Sequence, residues 1–241
     1  MSATAVHVWG SAPEFVGPRH ELRERLLLSL LLSGKPGREI LNAGAGQGSF
    51  TQLLERRGFD VTSVDVSPPA VALLRERLHG PVHWADVVNL PFDEATFDGV
   101  VLGEVLEHVE GDDEALREAA RVLRPGGLVA VSVPADSLPF GPADEWAGHV
   151  RHYSEDRLRE LCECSGLEVE TLRAWGFPAC ALYHRHLYEP RLVRRGAAHA
   201  TDAPRLARFL LGRLLQVDRL FVGVRRGALG YLLLARRPTR S

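Results

Sequence analysis

The chain has 241 residues, 45% of them hydrophobic and 25% charged, with a formal net charge of -2. That is enough apolar matter for one sizeable core, and the charge balance provides no global attraction for nucleic acid. Three cysteines, Cys162, Cys164 and Cys180, lack the spacing of a thiolate metal or redox site, so no metal is expected and a reducing, cytoplasmic setting fits.

The elements read as follows. Residues 14–33 have leucines at helical spacing (Leu22, Leu26, Leu27, Leu30, Leu31), and Lys35-Pro36-Gly37 ends that helix. A short buried strand over 38–42 leads into Gly44, Gly46 and Gly48, then a helix from Ser49 to about Arg57 that Gly58 closes. Residues 60–65 form a second strand, and Ser67-Pro68 opens a helix to about Leu78 with a capping serine and proline in the first turn. A brief strand over 82–84, another over 97–102, a helix over 112–123, a turn at Pro125-Gly126-Gly127 and a strand over 128–133 complete the first part. Such alternation predicts a doubly wound α/β fold, its seven-stranded sheet mostly parallel.

Beyond it come a Ser-capped helix over 154–165, a strand over 167–174, a mainly helical stretch over 178–222 and a last strand over 230–235. The chain therefore reads as one domain, with an N-terminal lid over 1–35 and a helical insertion before the final strand. The insertion carries apolar positions such as Phe209, Leu210, Leu214, Leu215, Val217 and Leu220. It is expected either to cover a ligand site or to form a homodimer contact. The N-terminus lacks the pattern of a signal peptide, and the longest apolar runs, 26–32 and 231–235, are far short of the roughly 20 residues that span a membrane. From Ala181 onward thirteen arginines face only Glu189, Asp202 and Asp218, which is read first as a plain solvated surface and otherwise as the mark of an anionic partner, a membrane surface or charge pairing between lobes.

The glycine-rich loop is the first chemical signal. Glycines at a strand-to-helix turn allow close backbone approach to a ligand. A dinucleotide fingerprint places its third glycine where this chain has Ser49, and the chain offers Gly48 instead. Asp65, ending the second strand, can accept bonds from both hydroxyls of a ribose, or serve as an acid at a helix N-terminus. Asp86, in "WADVVNLPF", can accept from an adenine amine while Val87 packs on the ring, or be a plain loop residue.

Four segments, "ILNAGAGQGSF", "VTSVDVSPPAV", "ADVVNLPFDEATFDGVVLGEVLEHV" and "LRPGGLVAVSVP", resemble in order and spacing the class I S-adenosylmethionine-dependent methyltransferases. The resemblance is to the small-molecule branch that includes the ubiquinone-biosynthesis O-methyltransferases, strong over 38–134 and weaker through 149–169. It implies S-adenosylmethionine as cofactor and a small-molecule acceptor methylated on O or N in the biosynthesis of a specialised metabolite or sugar. Gly44, Ala45, Gly46 and Gly48 then border the methionine portion. Asp65 holds the ribose with Val66 beside the adenine, Asp86 and Val87 flank its other side, and Gly103 and Glu104 line the methionine end. Asn42 stands where the family usually has Asp, and Ala45 where it often has Cys. Arg19, in the lid with Trp9, Phe15 and His20, is placed to meet the cofactor's carboxylate. His149 and His152, and more weakly His108 beside Glu107, are the candidate bases, each more readily a packing or helix-entry residue. Trp146 and Phe140 wall the acceptor pocket or sit in core. The arginine content of the insertion suits an anionic acceptor. Two other classes stay open: an NAD(P)-linked dehydrogenase, and a non-catalytic binding protein on the same fold.

Overall fold

The computed structural model describes residues 17–190 and 205–239. Trp9 and Phe15 of the expected lid, and residues 191–204 of the insertion, lie outside them. The elements run α1 (Pro18–Ser33), β1 (Glu39–Ala43), α2 (Ser49–Glu55), β2 (Asp60–Asp65), α3 (Pro68–Arg77), β3 (Val82–Trp84), β4 (Phe97–Gly103), α4 (Asp112–Val122), β5 (Leu123–Pro134), α5 (Pro142–Ala147), α6 (Glu155–Cys164), β6 (Glu168–Trp175), α7 (Ala179–Tyr183), α8 (Arg205–Leu215) and β7 (Gly230–Arg236). A short tight helix, Leu106–His108, follows β4, a widened turn, His184–Tyr188, continues α7, and Gln216–Phe221 continues α8.

The seven strands form one sheet in the order β3-β2-β1-β4-β5-β7-β6. β7 pairs antiparallel with both β5 and β6, and the remaining neighbours pair in parallel. Parallel strands with helices on both faces are buried on both sides, so β5 reads as a continuous apolar run, with Leu128 to Val131 and Val133 at most 1% exposed. Alternate side chains feed two cores. Leu41, Val100, Val129 and Leu233 enter the one that packs against α4 and α6, and Ile40, Val101, Leu128 and Leu234 enter the one that packs against α1.

The strand order reverses beside β1, with β2 on one side and β4 on the other. In open α/β sheets ligands bind at the carboxyl ends of the strands on this line. The β1–α2 loop, the end of β2 and the end of β4 all open there. α1 lies across the same edge, because its buried face, Leu22, Leu27, Leu28 and Leu31, packs on the second core. Ser67 gives no side-chain cap to α3; its backbone N–H donates to Asp65 Oδ1 at 2.9 Å instead.

Candidate active site

A cavity of about 550 Å³ opens at that switch line, lined by α1, the β1–α2 loop, the ends of β2 and β4, α5 and the turn after α7. Its volume is in the range of pockets that enclose a small ligand. The twelve candidate cofactor residues divide between wall and packing. Asn42, Gly44, Ala45, Gly46, Asp65, Val66, Asp86, Val87, Gly103, Glu104 and Arg19 line the cavity, while Gly48 lies behind it.

Gly44, Gly46 and Gly48 take φ of 75°, 54° and 83°. A Cβ on Gly44 would lie 2.5 Å from Val105, and one on Gly48 2.9 Å from Leu74, whereas one on Gly46 meets nothing within 4 Å. Two of the glycines therefore admit protein neighbours, and Gly46 alone offers bare backbone to open space. The loop is pinned to β2 by the N–H groups of Gly44 and Ala45, both 2.9 Å from the Val64 carbonyl.

Asp65 Oδ2 accepts from the Gly46 N–H at 2.8 Å, and Oδ1 from Ser67. Burial pushes its carboxyl above the usual range, while the backbone N–H groups of Ser67 and Gly46 pull the other way. Each oxygen keeps acceptor capacity for a ligand hydroxyl. Val66 is 60% exposed beside it, with its carbonyl accepting from the Trp84 indole at 2.8 Å. Asp86 stands exposed at the rim, with Oδ1 accepting from the Val88 N–H at 3.1 Å, and Val87 is buried below.

At the opposite end, Asn42 is 3% exposed and its amide donates to Thr51 Oγ1 at 2.8 Å, which in turn bonds Ser63. An amide has donors to offer Thr51, where the family's usual carboxylate has none, so the Asn substitution is built into the network below the loop. Glu104 sits at φ 58°, a conformation that side-chain-bearing residues rarely adopt, and pairs with Arg23 at 3.1 Å. Against burial, Arg23 holds its carboxyl low. Arg23 Nε and Gln47 Nε2 are buried donors with no hydrogen-bond partner, and both residues line the cavity. Orphaned donors of this kind suit a ligand carboxylate. Neither residue stood out in the sequence, although Arg23 lies one turn after Arg19. Arg19 itself turns away from that end toward the turn after α7, with its guanidinium 4.9 Å from the Tyr188 ring centre and Nη1 2.7 Å from His184 Nδ1.

The three candidate histidines converge. His108 and His149 have ring centres 4.8 Å apart, and His149 and His152 6.2 Å apart. Asp144 of α5 joins two of them, with Oδ1 2.8 Å from both His149 Nδ1 and His152 Nε2. Against burial, those two bonds hold Asp144 well below the usual carboxylate range. His152 also faces the Leu138 carbonyl through Nδ1 at 3.3 Å, so both its nitrogens meet acceptors. Against burial, Asp144 raises its pKa, which favours the doubly donating imidazolium. Burial, helped by His149, pushes His108 down to about 4 and keeps it neutral. Glu107 is fully buried behind these rings. Burial and the nearby Glu104 charge raise its pKa well above the usual range. Trp146 lines the cavity, and Phe140 lies outside it, 48% exposed, against the His152 ring at 5.3 Å.

A buried carboxylate at the end of β2, an open glycine and orphaned donors stand at the switch line of a doubly wound, Rossmann-like sheet, a set that could hold a nucleoside cofactor with an amino-acid tail. Residues 41–131 match the methyltransferase domain family model. The chain is 33% identical over 138 residues to a probable S-adenosylmethionine-dependent methyltransferase of Mycolicibacterium smegmatis, covering 56% of this chain and 53% of that protein. It is 34% identical over 125 residues to a ubiquinone biosynthesis O-methyltransferase of Alkalilimnicola ehrlichii, covering 48% and 50%. The chain thus spans about half the length of these curated relatives. Among solved structures, one described as a sarcosine dimethylglycine methyltransferase of Galdieria sulphuraria superposes with a TM-score of 0.67 at 18% identity, covering 100% of this chain and 94% of that one, and so shares the fold. Residues 41–131 are thus similar to the methyltransferase domain family, within a chain that has the Rossmann-like methyltransferase fold. The match favours the methyltransferase reading over the nicotinamide one, as does Ser49 in the fingerprint's third position.

Proposed function

We propose that the protein transfers a methyl group from S-adenosylmethionine to an oxygen or nitrogen of a small acceptor, with a hydroxyl the acceptor best suited to the site. One observation carries this reading: Asp144 fixes Nδ1 of His149, and the ring stands in the wall of the cavity on the acceptor side. A carboxylate-held imidazole is an arrangement for taking a proton near neutral pH.

Asp65 would hold the ribose hydroxyls, Val66, Asp86 and Val87 would enclose the adenine, and Gly46, Gln47 and Arg23 would meet the amino-acid end. The bound cofactor supplies a methyl group already activated on a sulfonium, so the protein's task is alignment, exclusion of water and proton removal. His149 takes the acceptor's proton. His152 anchors Asp144 through Nε2. His108 remains neutral and shapes the wall. His184 and Tyr188, on the turn after α7, close the acceptor end, which gives the helical insertion its role as a cover. Arg19, held between them, favours an acceptor that carries negative charge, such as a sugar phosphate or acid. The free thiols fit a cytoplasmic setting for such a biosynthetic step.

The reading is tested with labelled cofactor against a panel of hydroxylated and amine acceptors. Transfer should occur, and His149→Asn should lower kcat about 100-fold or more, with recovery as the pH rises and the acceptor ionises by itself. Unchanged kcat in that variant would remove the assigned base.

A further inference from the structure

Glu107 and His108 are neighbours on the turn after β4, and the fold brings His149, from the loop after α5, beside them; both imidazoles line the chamber and Glu107 lies buried behind them. Each offers one ligand atom, and these atoms lie within 4.8 Å of one another. We propose that these three side chains form a binding site for a first-row divalent transition metal ion, zinc foremost.

Three observations carry the proposal. First, Glu107 has no exposed surface, and both its carboxylate oxygens lack a hydrogen-bond partner. A buried polar group left unmatched is costly and uncommon. A cation held on these oxygens removes that cost.

Second, the imidazoles are held as ligands are held. His149 is fixed through Nδ1 by Asp144 at 2.8 Å, and its Nε2 lies 3.9 Å from Glu107 Oε1. His108 places Nδ1 3.3 Å from the Gly148 carbonyl. Metal-binding histidines typically engage a carboxylate or carbonyl through the second ring nitrogen. Two ligands each about 2.0–2.2 Å from one zinc ion stand roughly 3–4 Å apart, so little movement is needed.

Third, the donor set is chemically selective. Two imidazoles and one carboxylate suit zinc, iron, cobalt or nickel better than magnesium or calcium, and three protein ligands leave a position open to the chamber. The adjoining trio of Asp144, His149 and His152 also lies within reach of one ion. It is the weaker site, because its Asp144 Oδ1 is already shared between both rings at 2.8 Å. The cysteine spacing led to the expectation of no metal; this site uses no thiolate and is assembled by the fold from the turn after β4 and the loop after α5.

The site rests on the chamber geometry and not on the methyl-transfer reading. With the ion bound, Nε2 of His149 is a ligand instead of a base, and the ion itself polarises the acceptor's donor atom. The test strips the full chain with chelator, then titrates it with zinc by calorimetry and with cobalt by visible absorption. One equivalent should bind, with the absorption bands of cobalt held by nitrogen and oxygen. Glu107→Gln and His149→Asn should each lower the affinity at least tenfold, Asp144→Asn should lower it about 10–100-fold, and His152→Asn should change it less than threefold. Titration of every variant with S-adenosylhomocysteine checks that it is folded. Absence of zinc binding, or equal affinity in wild type and Glu107→Gln, overturns the metal site. If S-adenosylhomocysteine still binds in those cases, the methyltransferase reading stands alone.

Discussion

Gly44, Gly46 and Gly48 share a positive φ, yet a methyl group added to each would meet different surroundings. Gly44→Ala drives a Cβ into Val105, so it should destabilise the fold by about 2–4 kcal/mol, read as a fall in thermal midpoint. Gly46→Ala costs only the left-handed strain, about 1–2 kcal/mol, and puts its methyl in the cavity. It should weaken cofactor binding at least tenfold in a titration, out of proportion to its effect on stability. Asp65→Ala removes the carboxylate proposed to hold the ribose. Charge-assisted bonds contribute roughly 1.5–3 kcal/mol each, so binding should weaken by more than tenfold; unchanged affinity would remove the ribose assignment. Asp65 was legible because its distance from the glycine loop fixes it at the end of β2. Arg23, Gln47 and Glu107 were not, because their significance lies in burial without a partner, which only the assembled structure displays.

At the scale of elements, the stretch after β6 is held by contacts that no local pattern announces. Asp218, fully buried, accepts from the N–H groups of Ala179 and Cys180 at 2.7 Å each, so a turn forty residues on caps the start of α7. Asp218→Ala leaves those donors unmatched and should lower stability by about 1–3 kcal/mol in denaturant unfolding. His184, on the next turn, is pushed down to about 3 by burial and by Arg19; Asp144, His152 and His149 are its other charged or titratable neighbours. Its folded pKa lies below the unfolded value near 6.5, so the neutral ring's contribution is fully present above pH 6.5 and is lost as the pH falls toward 3. His184→Gln should flatten the acid limb of a stability-versus-pH curve; an unaltered slope would contradict the assignment. The main helices and strands were readable from period and punctuation, to within a few residues. α5 was not, because six residues with a proline carry no period, and it is α5 that delivers Asp144. The insertion's apolar positions were only half informative: Leu215 is buried, while Phe209, Leu210, Leu214 and Leu220 are 58–84% exposed among the described residues.

For the molecule as a whole, the uneven charge resolves partly into internal clamps. Arg236 pairs with Glu170 and reaches the Gly126 and Gly34 carbonyls, and Arg237 bonds the Ala120, Arg121 and Leu123 carbonyls and pairs with Glu94. These arginines tie the end of the antiparallel β7 to β6, to the start of β5 and to the end of α4, and of the meanings open to an arginine-rich end they support charge pairing within the fold. No described helix is long and apolar enough to cross a membrane. The sheet order follows from alternation and handedness, which the sequence displays; the chamber wall proposed for the acceptor draws on α1, α5 and the insertion, which meet only in three dimensions. A ligand that binds the native chamber alone stabilises the fold by about 2.7 kcal/mol at 100 times its Kd. The most direct test of the central claim is calorimetric titration of the purified protein with S-adenosylmethionine and S-adenosylhomocysteine. One equivalent of each should bind, and the affinity should fall more than tenfold in Asp65→Ala. No binding of either would contradict the account.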